Sequence, residues 1–207
     1  IPEGVDKALF ADDASVWAQD TDLKRAEQRV QLAVEAIYAW SLKKKMELNV
    51  LKSEATFFSN SSKEAQWSPK ITLAGTQMPF NDSPKFLGVH LDRTLSFQTH
   101  VLYAAGKVSQ RCRILASLAS KEWGWRKQSL RTVFLATQRS VIDYASPAWQ
   151  PYISATQMDK LDVAQNKALR LITGHHLSTP REALRIEAGV SSCTTYRDRN
   201  AVIAYEK

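Results

Sequence analysis

Near residue 96 the hydrophobic pattern of this chain changes kind, and that change restricts the folds open to it. Up to that point the apolar residues come in short runs, at 8–10, 14–18, 55–59, 71–74 and 86–91. Pro69, Gly75, Pro79 and the Asn81-Asp82-Ser83-Pro84 cluster separate them. Short apolar runs bounded by turn formers predict strands. One longer stripe interrupts them: Leu23, Ala26, Val30, Ala33, Val34, Ile37 and Trp40 recur at helical spacing. Asp20-Thr21-Asp22 offers N-caps ahead of this stripe, and Lys43-Lys44-Lys45 closes it where cations suit a helix C-terminus. Beyond Leu95 the periodicity is helical almost without a break, over 97–120, 127–144, 155–173 and 181–188, with Pro147, Pro151, Gly174 and Gly189 as stops. The expectation is an α+β fold with a small, mainly antiparallel sheet and one covering helix over 1–96, followed by a helical bundle over 97–207. The Ser- and Asn-rich stretch 60–68 reads as an exposed loop.

The first two apolar runs are joined by Asp12-Asp13, which places two carboxylates at the tip of a predicted hairpin. An Asp pair is also an ordinary turn former. Held this close, however, two carboxylates repel, so at neutral pH they share a proton or bind a cation. Mg²⁺ suits such a tip, because it takes one or two carboxylates and completes its shell with water and phosphate. Phe10 is expected to pack beneath the turn.

Charge divides as the pattern does. Residues 1–96 carry 12 Lys and Arg against 13 Asp and Glu, whereas 97–207 carry 16 against 8, so the net +7 resides entirely in the second half. A basic helical half beside an acidic-tipped half is an electrostatic footprint for nucleic acid. Lys107, Arg111, Arg113, Arg126, Lys127 and Arg131 are the candidate contacts. Cys112 and Cys193 match no metal spacing and read as free thiols of a reducing compartment. His175-His176 lacks the Cys or acidic partners of a metal site. No stretch approaches the ~20 apolar residues a membrane span needs, and the start lacks the pattern of a secretory leader. A chain that opens at Ile1 instead of Met is expected to be a piece of something longer.

Phe10-Ala11-Asp12-Asp13 resembles the aromatic-x-Asp-Asp box of reverse transcriptases, in the form typical of non-LTR retrotransposons. Asn49-Val50-Leu51-Lys52-Ser53, running into Phe57-Phe58, resembles the family's Asn-x-x-Lys-[Ser/Thr] loop. Phe86-Leu87-Gly88-Val89, with its tail Leu95-Ser96-Phe97-x-x-His100, resembles the aromatic-Leu-Gly-Val hairpin that follows. Asp143-Tyr144-Ala145-Ser146-Pro147-Ala148-Trp149, Leu161-(x3)-Gln165-(x3)-Leu169-Arg170, Thr179-Pro180-Arg181-Glu182-Ala183-Leu184, Glu187-Ala188-Gly189-Val190 and Tyr196-Arg197-Asp198-Arg199 are similar to patterns of jockey-, I- and ingi-like elements. The resemblance covers nearly the whole chain.

It implies an RNA-directed DNA polymerase fragment: the C-terminal half of a palm over 1–96, then a thumb and extension over 97–207. Asp12 and Asp13 become metal ligands for two Mg²⁺ ions, which can stabilise the attacking and leaving oxygens of an in-line displacement on a nucleotide. Lys52 becomes the candidate that neutralises or protonates pyrophosphate. Phe86, Leu87 and Gly88 become the primer grip. The implied partners are an RNA template, a DNA primer, deoxynucleotides and the upstream fingers and palm of the same polyprotein, in the nucleus or a cytoplasmic ribonucleoprotein. The family's first catalytic aspartate lies upstream of the Asp-Asp box, so this piece by itself is expected to be inactive. A non-catalytic remnant that still binds nucleic acid is the alternative reading.

Overall fold

The computed structural model describes residues 2–64, 66–119 and 124–205, which divide into two units, the first ending at Pro84 and the second beginning at Lys85. Ala65 of the expected loop and Ser120 of the first expected bundle helix lie outside the described residues.

In the first unit, β1 (Asp6–Phe10) and β2 (Asp13–Trp17) pair antiparallel, with Phe10 opposite Asp13. Helix α1 (Leu23–Lys43) starts at Asp22, whose carboxylate accepts the backbone N–H groups of Lys24 and Arg25 at 3.0 and 3.4 Å. Asp20 is held beside it by Arg29 at 3.2 Å. The amide N–H of Asp22, helped by the Arg25 and Arg29 charges and opposed by burial, draws the Asp20 carboxyl below its ordinary range. A second antiparallel pair, β3 (Thr72–Leu73) and β4 (Thr76–Gln77), is fastened to α1 by the Gln31 carboxamide. Its oxygen accepts the Thr72 N–H at 2.8 Å and its nitrogen donates to the Thr72 carbonyl at 3.1 Å, as a neighbouring strand would. The core here is thin. Of the α1 stripe only Ala33 is fully buried, with Ala55, Ile71 and Leu73 from the loops and β3, while Trp40 stays 51% exposed.

The expected strand over 55–59 does not form. Ala55 makes one parallel bridge to Phe80, and the chain then turns back on itself, with Phe57 packed edge-on against Trp67 and the Ser59 hydroxyl donating to Glu64 at 2.5 Å. Among the described residues the ladder does not continue past that one bridge, so the run has no regular strand pairing.

In the second unit the run 86–91 is a hairpin instead of one strand: β5 (Lys85–Phe86) and β6 (Val89–His90), joined by Leu87-Gly88. Leu87 at φ 44° and Gly88 at φ 86° are both left-handed, the signature of the two-residue turn that matches strand twist. Asp92 then launches α2 (Gln98–Leu118), its carboxylate accepting the N–H groups of Ser96 and Gln98 at 2.8 and 3.0 Å. The expected helix over 127–144 is α3 (Lys127–Phe134), a π turn over Leu135–Arg139, and α4 (Ser140–Asp143). A short helix α5 (Ser146–Trp149) precedes α6 (Ala155–Thr173), which has a Ser154–Gln157 capping box and Gly174 as its left-handed stop. Two more helices follow, α7 (Arg181–Ala188) and α8 (Cys193–Tyr205). Helices α5 and α8 were not expected from the periodicity.

Two apolar clusters fill this unit. One gathers Val89, Val101, Ile142, Trp149 and Leu161; the other gathers Leu115, Phe134, Leu169 and Leu184. Val89 explains why the β5–β6 hairpin belongs with the helices, so that the units part after Pro84 and not near 96. The α+β class stands, with the strands among the described residues forming three separate antiparallel pairs in place of one sheet.

Candidate functional site

The carboxylate hairpin is built on a strained backbone. Ala11 takes the first central turn position at φ 52°, while Asp12 beside it stays at negative φ. That is the position glycine ordinarily takes in a II′ turn, and a non-glycine residue there costs about 1–2 kcal/mol. The strain turns the chain within two residues. Asp12 therefore lies in the turn itself and Asp13 heads β2, both exposed to solvent. Neither carboxylate has a hydrogen-bond or ion-pair partner among the described residues. Phe10, expected beneath the turn, is instead 63% exposed beside Leu9 at 74%. Phe10 pairs with Asp13 at the end of the two-stranded ribbon, with its ring left open to solvent.

Two exposed carboxylates without an internal cation fit Mg²⁺ in donor chemistry, since hard oxygen ligands and open solvent positions are what that ion takes. Among the described residues no group of three or more His, Cys, Asp or Glu side chains forms a fuller metal cage.

Lys52 sits on a different turn of the same unit. Asn49 caps a 3₁₀ turn over Val50–Lys52, its side chain accepting the Lys52 N–H at 3.1 Å, and the Ser53 hydroxyl donates to the Asn49 carbonyl at 2.8 Å. The Asn-x-x-Lys-Ser spacing is therefore a self-capped turn that projects an exposed Lys52, and no ion pair joins that lysine to Asp12 or Asp13.

Phe86, Leu87 and Gly88 come together at the β5–β6 hairpin end. The Phe86 and Leu87 side chains are 41% and 40% exposed. A residue not singled out for function from the sequence meets them there: the Tyr144 hydroxyl donates to the Leu87 carbonyl at 2.8 Å. Its motif was visible, but only the fold aims it at this turn. Behind the hairpin, the buried His100 accepts the His90 N–H on Nδ1 at 3.2 Å and packs edge-on against Trp149. Burial, with a smaller contribution from neighbouring His90, pushes His100 down to about 4. Burial also lowers His90, assisted by Lys85.

The six basic candidates separate into two sets. Arg126, Lys127 and Arg131 line one open groove of about 610 Å³ between the start of α3 and the end of α7, together with Glu187 and Gly189. Lys127 is paired there with Glu187 at 2.7 Å and Arg131 donates to the Gly189 carbonyl at 2.9 Å. Hydrogen bonds from Lys127 and His175 hold the Glu187 carboxyl below its usual range. The other three lie on α2. Lys107 rests 5.6 Å from the Tyr103 ring centroid, and Arg111 donates to the Thr137 carbonyl in the π turn. Arg113 is exposed, and like Arg126 its side chain has no partner among the described residues. No described helix is long and apolar enough to cross a membrane.

Comparison with known proteins gives the chain its relatives. It is 31% identical over 121 residues to the "Retrovirus-related Pol polyprotein from type-1 retrotransposable element R1 4" of Nasonia vitripennis, a match covering 58% of this chain and 30% of that protein. It is 27% identical over 169 residues to the "RNA-directed DNA polymerase from mobile element jockey" of Drosophila funebris, covering 81% of this chain and 18% of the relative. It is 23% identical over 166 residues to the "Probable RNA-directed DNA polymerase from transposon BS" of Drosophila melanogaster, covering 80% and 18%. The chain thus spans 18–36% of the length of the first curated relatives it matches. No family model matches it, and no solved structure matches it significantly. The resemblance read from the sequence is therefore shown: over much of its length the chain is similar to polymerases and Pol polyproteins of non-LTR retrotransposons.

Proposed function

We propose that this chain is part of a non-LTR retrotransposon reverse transcriptase. Residues 1–96, the first unit together with the β5–β6 hairpin and the loop after it, form the C-terminal half of its palm, and 97–207 form its thumb and extension. The observation that carries the reading is the tip of the β1–β2 hairpin. Two adjacent carboxylates, unpartnered among the described residues, stand one in the strained Ala11-Asp12 turn and one at the head of β2, in the aromatic-Ala-Asp-Asp context of the polymerase box. Backbone strain kept at a functional position is a recognised design.

In this reading Asp12 and Asp13 hold Mg²⁺ together with a third carboxylate from an upstream segment. The bound metal supplies charge stabilisation to the oxygens of a phosphoryl displacement. Asp12, in the turn, is the principal ligand, and Asp13 stands beside it. Lys52 offers an exposed ammonium to the pyrophosphate leaving group, while Phe86, Leu87 and Gly88 contact the primer strand. The groove of Arg126, Lys127 and Arg131 and the exposed Arg113 track the phosphate backbone. RNA template, DNA primer and deoxynucleotides are the substrates of the complete enzyme, and without the third carboxylate the 207-residue chain has no polymerase activity.

Joining an intact upstream palm and fingers to this chain restores RNA-directed DNA synthesis, and Asp12→Asn in that protein lowers it by roughly 10²–10³-fold. In parallel, calorimetric titration of the 207-residue chain with Mn²⁺ detects binding that Asp12→Asn weakens. Synthesis undiminished by the substitution would place the metal site elsewhere.

A further inference from the structure

We propose that Tyr144 is a positioning residue for the primer-contacting hairpin: it fixes the Leu87-Gly88 turn from outside, through its hydroxyl and its ring. The inference rests on the reading of Phe86, Leu87 and Gly88 as primer contacts and adds to them a residue that does not itself touch the primer.

The turn needs support. A two-residue turn with both positions at positive φ suits Asn-Gly or Gly-Gly, because only small or locally hydrogen-bonding residues take that conformation readily. Leu87 at φ 44° has neither property. Its hairpin is also minimal, two residues per strand, and so short a ribbon has little stability of its own. What the turn lacks internally is supplied across the unit, where Tyr144 Oη donates to the Leu87 carbonyl at 2.8 Å.

Gly88 fits the same arrangement. A Cβ at this position would lie 3.0 Å from Tyr144 Cε1 and 3.2 Å from its hydroxyl oxygen. The glycine therefore serves two needs, a backbone at φ 86° and a close approach to the tyrosine ring.

Tyr144 can act as a strut because its own backbone is anchored. Its N–H donates to the Ser140 carbonyl at 3.0 Å at the end of α4. Its carbonyl accepts the indole N–H of the fully buried Trp149 at 2.9 Å. Ala145 bends the chain directly afterwards at φ 49°, and Arg139 grips Asp143 just before it at 2.9 Å. Burial raises that Asp143 carboxyl, with Arg139 opposing the rise. A continuous path of hydrogen bonds thus runs from the core at Trp149, through Tyr144, to the turn. It also accounts for a tyrosine that remains 53% exposed: the ring lies against a turn and not in a cavity.

The test measures binding of the 207-residue chain to a fluorescein-labelled RNA template–DNA primer duplex by anisotropy, for wild type, Tyr144→Phe, Phe86→Ala and the double variant. Tyr144→Phe keeps the ring and removes only the hydroxyl. Each single substitution is expected to weaken binding by about fivefold, the weight of roughly one hydrogen bond or contact. The double variant is expected to be no weaker than the weaker single, because both act through one turn. Hydrogen exchange at the Gly88 and Val89 amides is expected to quicken in Tyr144→Phe while α6 amides keep their rates, which a general loss of stability would not produce. Phe86→Ala weakening binding while Tyr144→Phe leaves it unchanged would overturn the positioning role and leave the primer reading standing. Neither substitution having an effect would overturn both. Fully additive losses in the double variant would also overturn the proposal, since Tyr144 would then act independently of the turn.

Discussion

Ala11 shows how a single residue sets the geometry of the carboxylate tip. Its φ of 52° lies in the left-handed region that L-residues avoid, and it is the smallest side chain that still has a Cβ. A β-branched residue suffers more there. Ala11→Gly is therefore expected to exceed Ala11→Val in stability by about 1–2 kcal/mol in urea unfolding. His100 makes a second prediction at this scale. Its Nδ1 accepts the His90 N–H, so the folded state holds the ring neutral with the proton on Nε2. With the folded value depressed to about 4 from an ordinary 6.5, the unfolded chain binds the extra proton first. Stability is thus fully present above about pH 6.5 and declines as pH falls toward 4, by up to roughly 3 kcal/mol. His100→Gln is expected to flatten that decline, as read from unfolding midpoints across the pH series.

Among elements, α2 and α6 have their starts fixed by side chains and not by propensity. The Asp92 carboxylate takes the N–H groups of Ser96 and Gln98 together with the Ser96 hydroxyl, where Leu95 and Phe97 are both left-handed. Asp92→Ala removes that shared acceptor and is expected to cost about 1–2 kcal/mol, against about 1 for Ser154→Ala at the α6 capping box. Both values are readable by chemical denaturation. The π turn at Leu135–Arg139 is another departure from regularity, and its Thr137 carbonyl accepts from Arg111. Arg111, a candidate phosphate contact, therefore also braces α2 against that π turn. Arg113 and Arg126, without such a duty among the described residues, are the two whose loss should weaken nucleic-acid binding without loss of stability.

At the scale of the whole chain the two units differ in how they are held. The first has Ala33, Ala55, Ile71 and Leu73 as its buried apolar residues, whereas the second buries Trp149, Phe134, Leu115, Leu161 and others completely. Hydrogen exchange should therefore find α1 opening well before α2 and α6, since opening free energy follows buried apolar contact. Leu161→Ala, deep in the α2–α6 packing, is expected to cost about 2–5 kcal/mol. Charge sets a further expectation. The basic excess lies in the helical half, so binding of the chain to a primer–template duplex should fall steeply and log-linearly with salt. A flat isotherm at low salt would remove the nucleic-acid role.

Read by itself, the sequence determined the elements whose signals are local. The Asp22 cap and the Ser154 and Gly174 ends of α1 and α6 follow from residues within one turn of the boundary. The β1–β2 hairpin follows from two short runs around a turn pair. Tertiary structure alone decided the rest. Residues 55–59 look like a strand, but the pairing stops at the single bridge from Ala55 to Phe80. Residues 86–91 look like one strand but fold back at Leu87-Gly88, where the Tyr144 hydroxyl, 57 residues away, donates to the Leu87 carbonyl. Lys107, Arg111, Lys127 and Arg131 read as free cations until packing gives each an internal partner. The physical reason is common to all three: a cap is satisfied within a few residues, whereas a strand's partner, a turn's brace and a cation's counter-group come from distant chain that only the fold brings near.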